Sequence, residues 1–379
     1  MASKVTIAAA GDISFAGPNA EAPSMSMFSQ IIAALKGFNL VIGNLESPLV
    51  TNGDPRSGKC TIHGNPGWAE LMKEAGIHLV SLANNHMMDY GQAGLFSTTQ
   101  TLDSVGIRYV GAGRDIEEAC APLFLNVDGR RIAVLARTSV IVNSPSYAER
   151  DQPGVAYLDI EETKRSIAVS NRNADIVILL MHWGLENYSY PSPDQRQMAK
   201  ELIGAGADII LGHHPHVLQG VEFIKNGIVA YSLGNFLFDE FEWTLNDTEL
   251  GAKKLFSLLS GENREGVILN LTCGADRRLD INPIFTRIDE EAKVKIDYAP
   301  YRNLHFKSLN QKLHHPFYQY WWHVYAMEKE WTLRIKPRLS VENMVRKIHK
   351  LRMRHIKELF GTFRKAAKIV AGKSTNPYD

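Results

Sequence analysis

Three histidines fall within four positions at Gly212-His213-His214-Pro215-His216, directly after the apolar run Ile209-Ile210-Leu211. That run reads as a short buried strand ended by the glycine. The imidazoles then sit on a loop at a strand's carboxyl end, where open α/β sheets place their sites. His214 and His216 alternate around Pro215, whose fixed φ holds the loop open. Two neutral imidazoles at that spacing reach one metal ion or two adjacent ions. The plainer alternative is a polar surface loop that happens to hold histidines.

Other apolar runs end in the same way. Asp12 follows residues 5–10, Glu46 follows 40–42, Asn84-Asn85-His86 follows 78–82, His182 follows 175–181, and Asn235 follows 228–231. Singly, each has a bland reading: an Asx-turn for Asp12, an amide cap for Glu46, a hydrogen-bonded turn for the Asn-Asn-His run, a satisfied core residue for His182. Together they bring carboxylate, imidazole and amide oxygen to one end of several strands. That donor mixture suits borderline divalent ions such as Mn, Fe, Zn or Co. No cysteine adjoins these residues in sequence, which argues against a structural zinc site. Two ions about 3.5–4 Å apart need a bridging carboxylate and several ligands each. Asp12, Glu46, Asn85, His182, His214 and His216 can supply them, and His86 is placed to act as a general acid near its ordinary pKa.

The elements that must position these residues follow from periodicity and punctuation. Helices are expected over 26–35, 67–75, 92–105, 160–170 and 193–204. Asp128-Gly129 and Asn226-Gly227 each mark a hairpin. Residues 51–65, rich in glycine and proline, form a loop over the site, and 138–158 reads as loop. Antiparallel strands over 267–272, 279–287 and 294–297 close the core. βα units mixed with hairpins imply a two-sheet α/β sandwich.

The chain has 379 residues, 45% hydrophobic and 22% charged, the balance of a soluble globular protein. Residues 301–379 carry 17 Lys+Arg against 5 Asp+Glu, so a basic tail follows an acidic body over 1–300. Cys60, Cys120 and Cys273 are too far apart for a disulfide framework, which favours a reducing compartment. Residues 1–10 show no signal-peptide pattern, and no apolar run is long enough to span a membrane. A cytoplasmic location is expected, with peripheral contact at the inner membrane surface.

Within the tail, Tyr318, Tyr320, Trp321, Trp322, Tyr325 and Trp331 read as packing against the body in preference to a binding platform. Residues 341–370 repeat apolar positions at helical spacing among Lys and Arg. A basic amphipathic helix of this kind fits an anionic membrane surface, or docking on the acidic body or a partner. No nucleic-acid reader motif accompanies the charge.

Gly11-Asp12, Asn44-Leu45-Glu46, Asn84-Asn85-His86 with Asp89 and Gly91, His182-Trp183-Gly184 with Glu186, His214-Pro215-His216 and Leu233-Gly234-Asn235-Phe236 occur in this order over about residues 4–240. In that order and spacing the chain resembles the CapA capsule-synthesis (poly-γ-glutamate biosynthesis) family of the calcineurin-like metallophosphoesterase superfamily. The resemblance implies a four-layer α/β/β/α metallophosphoesterase-like sandwich, here with a helical C-terminal extension, around a two-metal centre. It implies ligation by Asp12, Asn85, His182, His214 and His216, with Glu46 near the bridging acid and His86 beside the scissile ester. Asn44, Asn84, Asp89, Glu186 and Asn235 are the expected substrate-binding residues. Ser14 stands where many superfamily members carry a metal-binding histidine. The function implied is a metal-dependent phosphoesterase-like activity on a phosphorylated or anionic substrate in capsule polymer synthesis, with metal-bound hydroxide attacking a phosphate ester. The alternative is a non-catalytic accessory subunit of a capsule-synthesis complex that binds an anionic polymer or phosphorylated intermediate.

Overall fold

In the first strand, β1 (Val5–Ile13), alternate residues enter different apolar clusters: Val5, Ile7 and Ala9 join one, Ala8, Ala10 and Ile13 another. A near-continuous apolar strand must be covered on both faces. The computed structural model describes residues 4–57, 59–140, 146–247, 251–257, 259–274 and 276–336, and its central strands share this two-sided burial.

After β1 come α1 (Ile32–Leu35), β2 (Leu40–Leu45), α2 (Trp68–Ala75), β3 (Leu79–Ser81), α3 (Gly91–Val105) and β4 (Arg108–Val110). The chain continues through β5 (Ala112–Gly113), α4 (Ile116–Cys120), β6 (Leu123–Val127), β7 (Arg130–Thr138), β8 (Gly154–Val155), α5 (Ile160–Asn173) and β9 (Ile176–His182). Then follow α6 (Pro193–Gly204), β10 (Ile209–His213), β11 (Val221–Ile224), β12 (Gly227–Ala230), β13 (Asn235–Leu237), β14 (Phe241–Asp247) and β15 (Gly251–Ser257). The last elements are β16 (Glu265–Cys273), β17 (Leu279–Ile288), β18 (Val294–Ile296), α7 (Tyr301–Leu313) and α8 (Tyr318–Glu330).

One sheet runs β18-β17-β16-β1-β2-β3-β4, with β13 also paired to β1; the other runs β11-β12-β10-β9-β7-β6. Their facing sides share one core, in which Ile7, Ile42 and Leu269 meet Val134, Ile178, Leu180 and Leu211. Trp68, Met72 and Leu95 from α2 and α3 cover the outer face of the first sheet. Ile167, Leu202 and Trp322 from α5, α6 and α8 cover the outer face of the second. The four layers α/β/β/α are those expected. Fully burying one such side chain contributes about 1.5–3 kcal/mol, so the Leu180→Ala cavity, on the shared core, would cost about 2–5 kcal/mol.

Local chemistry ends the helices where the layers need turns. Ser192 and Gln195 form a capping box on α6 with Pro193 in its first turn, and Asp159 caps α5. Gly76 and Gly106 end α2 and α3 in left-handed conformations, φ 98° and 71°.

Several expectations are corrected. Asp12 lies inside β1, not beyond its end: β13 runs parallel beside β1 and pairs Asp12 with Asn235. Gly11 allows this approach, because a Cβ there would collide with the Gly234 carbonyl oxygen. The helix expected over 26–35 is a 3₁₀ turn, Met25–Met27, followed by the single turn of α1. Ser24 accepts from the Ser26 amide and the Ser29 hydroxyl donates to the Ser26 carbonyl, local bonds that compete with a helical ladder. The stretch expected as loop contains β8, paired with β5. The β14–β15 hairpin was not anticipated.

The aromatic cluster splits. Tyr318 donates to the Pro191 carbonyl (2.8 Å) and Trp322 to that of Tyr190 (3.2 Å), while Trp321 stacks on Tyr325. Tyr320 and Trp331 face outward. α7 sends Phe306 and Leu309 into the core between the sheets. Among the described residues no helix is long and apolar enough to cross a membrane. The expected amphipathic segment 341–370 lies outside the described residues.

Candidate metal centre

β1, β2, β9, β10 and β13 deliver the donors to one place, because parallel neighbours end at the same edge. Glu46 stands at the middle. Its Oε1 lies 3.8 Å from His216 Nε2, 3.9 Å from His182 Nε2 and 4.0 Å from His86 Nε2. These separations are too long for hydrogen bonds. For His182 and His216 they suit donors that share with Glu46 an ion about 2.0–2.2 Å from each. Both Glu46 oxygens and both His214 ring nitrogens are buried without a hydrogen-bond partner. A native fold seldom leaves four such atoms idle together. The donor set therefore fits divalent metal. Glu46, His182 and His214 form one group able to hold an ion; Asp12, Glu46 and His216 form another; Glu186, His214 and His216 form a third. Donor atoms within each group lie within 4.8 Å of one another.

Supporting bonds fix the donors. Asn44 donates to Asp12 Oδ1 (2.8 Å), and the His214 amide donates to Asp12 Oδ2 (3.1 Å). His182 Nε2 meets Asn85 Oδ1 at 2.7 Å, and His216 Nδ1 meets Asn235 Oδ1 at 3.0 Å. Asn84 donates to the Leu45 carbonyl (2.8 Å), and its Oδ1 accepts the His86 and Met87 amides. Asp89 accepts from His86 Nδ1 (2.7 Å), from the Ile62 amide (2.8 Å) and from Lys59. So Asn44, Asn84, Asp89 and Asn235, expected at the substrate, are buried and bonded inward to the cluster, while Glu186 is partly exposed at its edge.

His214 and His216 adopt left-handed backbones, φ 93° and 56°, on either side of Pro215. Non-glycine residues there store about 1–3 kcal/mol each and collect at functional sites. The strain is held by neighbouring backbone: the Asn187 amide donates to the Pro215 carbonyl (2.8 Å) and the Trp183 amide to that of His213 (3.1 Å).

Burial dominates the electrostatics. It pushes the Glu46 carboxyl up to about 8; nearby His216 opposes this, and Asp12, Glu186 and Asp89 add to it. Burial lowers His214 to about 4 and His182 well below its ordinary value, so both are neutral and ready to ligate. At His216 burial also acts downward, but Glu46, Asp12 and Glu186 outweigh it and raise the imidazole to about 9. His86, expected near its ordinary value, is lowered by burial, with Asp89 partly offsetting.

The family described as bacterial capsule synthesis protein PGA_cap matches residues 6–240, the stretch that carries all of these donors. The chain belongs to that family. Capsule biosynthesis protein CapA of Bacillus anthracis is 38% identical over 226 residues, covering 58% of this chain and 54% of that protein. PGA biosynthesis protein CapA of Bacillus subtilis is 35% identical over 222 residues, 58% of each chain. A Mycobacterium tuberculosis relative, "Probable polyglutamine synthesis accessory protein", is 30% identical over 211 residues, 52% of this chain and 55% of that one. The chain thus spans a little over half the length of these relatives. A solved putative 5′-nucleotidase from Staphylococcus aureus aligns over 81% of this chain and 58% of its own at 13% identity, with a TM-score of 0.46.

Three PGA_cap site neighbours were invisible to spacing. Lys59 reaches from the 51–65 loop to Asp89 and the Asn85 carbonyl (2.7 Å). Cys60, far from the donors in sequence, sits close enough that Asp89, Glu186 and Glu46 add to the burial that raises its thiol to about 12. Asn263 donates to Asn187 Oδ1 and the His216 carbonyl and accepts from Asn235. His213, the remaining histidine of the triplet, turns to the Ala10 carbonyl (3.2 Å) and holds β10 to β1.

Proposed function

We propose that this chain is a metal-dependent phosphoesterase-like protein of capsule or poly-γ-glutamate biosynthesis, whose donors around Glu46 would hold two divalent ions (Mn, Fe, Zn or Co). One observation carries the reading: a buried carboxylate with both oxygens unsatisfied, about equidistant from three imidazoles. Asp12 and His216 would hold one ion, and Asn85, His182 and His214 the other. When bound, such ions supply Lewis-acid stabilisation of phosphoryl oxygens and lower the pKa of water. His86 supplies the proton chemistry. Asp89, accepting from Nδ1–H, would turn Nε2 toward the ester and stabilise the imidazolium, so that Nε2 takes the proton released by the attacking water and passes it to the leaving oxygen. Asn44, Asn84 and Asn235 orient the donors, and Lys59 holds Asp89. The partners are a phosphorylated or anionic substrate and a capsule-synthesis complex, with peripheral contact to the inner membrane surface through residues 341–370.

The competing reading is an accessory subunit that kept the fold and binds an anionic polymer or phosphorylated intermediate. Ser14 favours it, since it stands in place of a metal-binding histidine and its hydroxyl bonds Ser47 (2.9 Å). Metal analysis of the purified chain, followed by a phosphomonoester and phosphodiester screen, tests both. Bound metal with turnover supports the enzyme, and bound metal without turnover on any ester supports the subunit.

A further inference from the structure

The two proposed donor sets are unequal. Glu46, His182 and His214 gain a fourth donor in Asn85, whose Oδ1 already touches His182 at 2.7 Å. Asp12, Glu46 and His216 number three. Ser14, just past the end of β1, bonds Ser47. Divalent ions in carboxylate–imidazole sites take at least four ligands, with water filling any position the protein leaves open. A further carboxylate is at hand. Glu186 lies on the loop after β9, and its donor atom comes within 4.8 Å of both His214 and His216. His214 there is wholly buried with neither ring nitrogen partnered.

That loop is built to hold Glu186 in place. It is tied to the histidine turn on both sides of Glu186, through Trp183 N to the His213 carbonyl and Asn187 N to the Pro215 carbonyl. Asn263 joins Asn187 to His216 from outside, through bonds of 2.9 and 3.0 Å. Asn187 itself is left-handed, φ 65°, a conformation that turns the chain back just after Glu186.

We propose that Glu186 is a metal ligand, the fourth donor of the Asp12–Glu46–His216 ion, and not a substrate contact. This rests on the two-ion reading above. In the resulting centre both ions have four protein donors, and the His216 ion carries three carboxylates against one imidazole. Its oxygen-rich set suits a hard ion such as Mn better than the imidazole-rich set of the His182–His214 ion does.

The test uses the full chain, stripped by chelator and titrated with Mn(II) alone in equilibrium dialysis, with Co(II) absorption as a second readout of coordination. Wild type is expected to take two ions. Glu186→Gln, close in shape, should keep one ion at wild-type affinity and weaken the other by at least about 10–100-fold, the loss seen even for groups that only support ligands, and should change the Co(II) bands of one ion. Thermal unfolding of the stripped variant checks its fold. Should it not fold, Glu186→Asp retains the charge but draws the carboxylate back, and should weaken the same ion. Two ions at wild-type affinity with unchanged Co(II) bands would overturn the assignment. So would equal weakening of both ions, which would mark Glu186 as diffuse charge support. A wild-type chain that binds no ion would instead sink the metal reading itself.

Discussion

Replacing Glu46 by Gln separates what the centre costs the fold from what it does for an ion. Burial holds this carboxyl at about 8 against an ordinary 4.5. The folded chain therefore binds the proton more tightly than the unfolded chain. With respect to this group, stability is greatest below pH 4.5, declines as pH rises, and reaches its floor above pH 8. At roughly 1.4 kcal/mol per pH unit, an ionised Glu46 destabilises the metal-free fold by on the order of 5 kcal/mol at pH 8.5. Two effects reduce what Gln recovers. His216 loses its chief upward influence, and the new amide is buried without a partner, at about 1–3 kcal/mol. A net gain on the order of 1–3 kcal/mol remains for the metal-free variant. Urea unfolding in EDTA at pH 5 and pH 8.5 reads this directly: Glu46→Gln should exceed wild type at pH 8.5, with the gap closing at pH 5. Excess Mn(II) should reverse the order, since an ion at 100 times its Kd stabilises the wild type by about 2.7 kcal/mol. A variant less stable than wild type in EDTA at pH 8.5, or stabilised equally by Mn(II), would refute the argument.

His214 works in the opposite direction on the pH scale. Burial lowers it to about 4, so the stability present above its ordinary 6.5 is lost as pH falls through that window; His214→Gln should remove on the order of 3 kcal/mol of the acid-induced loss in the metal-free protein, read by urea titration from pH 7 to pH 4. If esters are turned over, His86→Asn should retain metal and lose about 10²–10⁴-fold in rate, with the loss shrinking for leaving groups that need no proton. Equal losses for all leaving groups would assign His86 to positioning. For residues 341–370, co-sedimentation with liposomes should require anionic lipid, weaken with salt and vanish on truncation after Ser340; full-length protein left in the supernatant at low salt would end the membrane reading.

The strand-end donors were legible because strand, glycine and polar ligand occur consecutively, as in Leu211-Gly212-His213-His214. The layers were legible from apolar runs such as residues 175–181, long enough to demand cover on both faces. Contacts made at long sequence separation were not. Nothing around Lys59 or Asn263 announces Asp89 or Asn235, because those pairings exist only once the 51–65 loop and the turn before β16 have folded onto the site. Asp12 was misplaced for a related reason: the strand that prolongs β1 past Gly11 is β13, more than 200 residues away. The β14–β15 hairpin did carry a signal, the alternation Phe241, Trp243, Leu245.

The left-handed turn that carries His214 and His216 is held by backbone bonds from Trp183 and Asn187. A nest of carboxylate, imidazole and amide, without thiolate, ranks divalent ions mainly by their intrinsic affinity, from manganese weakest to copper strongest. Such a centre discriminates little by itself. The ion it carries is then decided by supply: by the free metal concentrations where the chain folds, or by traces shed from an affinity column. The metal found after purification will report the history of the sample as much as the preference of the protein, and physiological loading would rest with the cell's metal homeostasis.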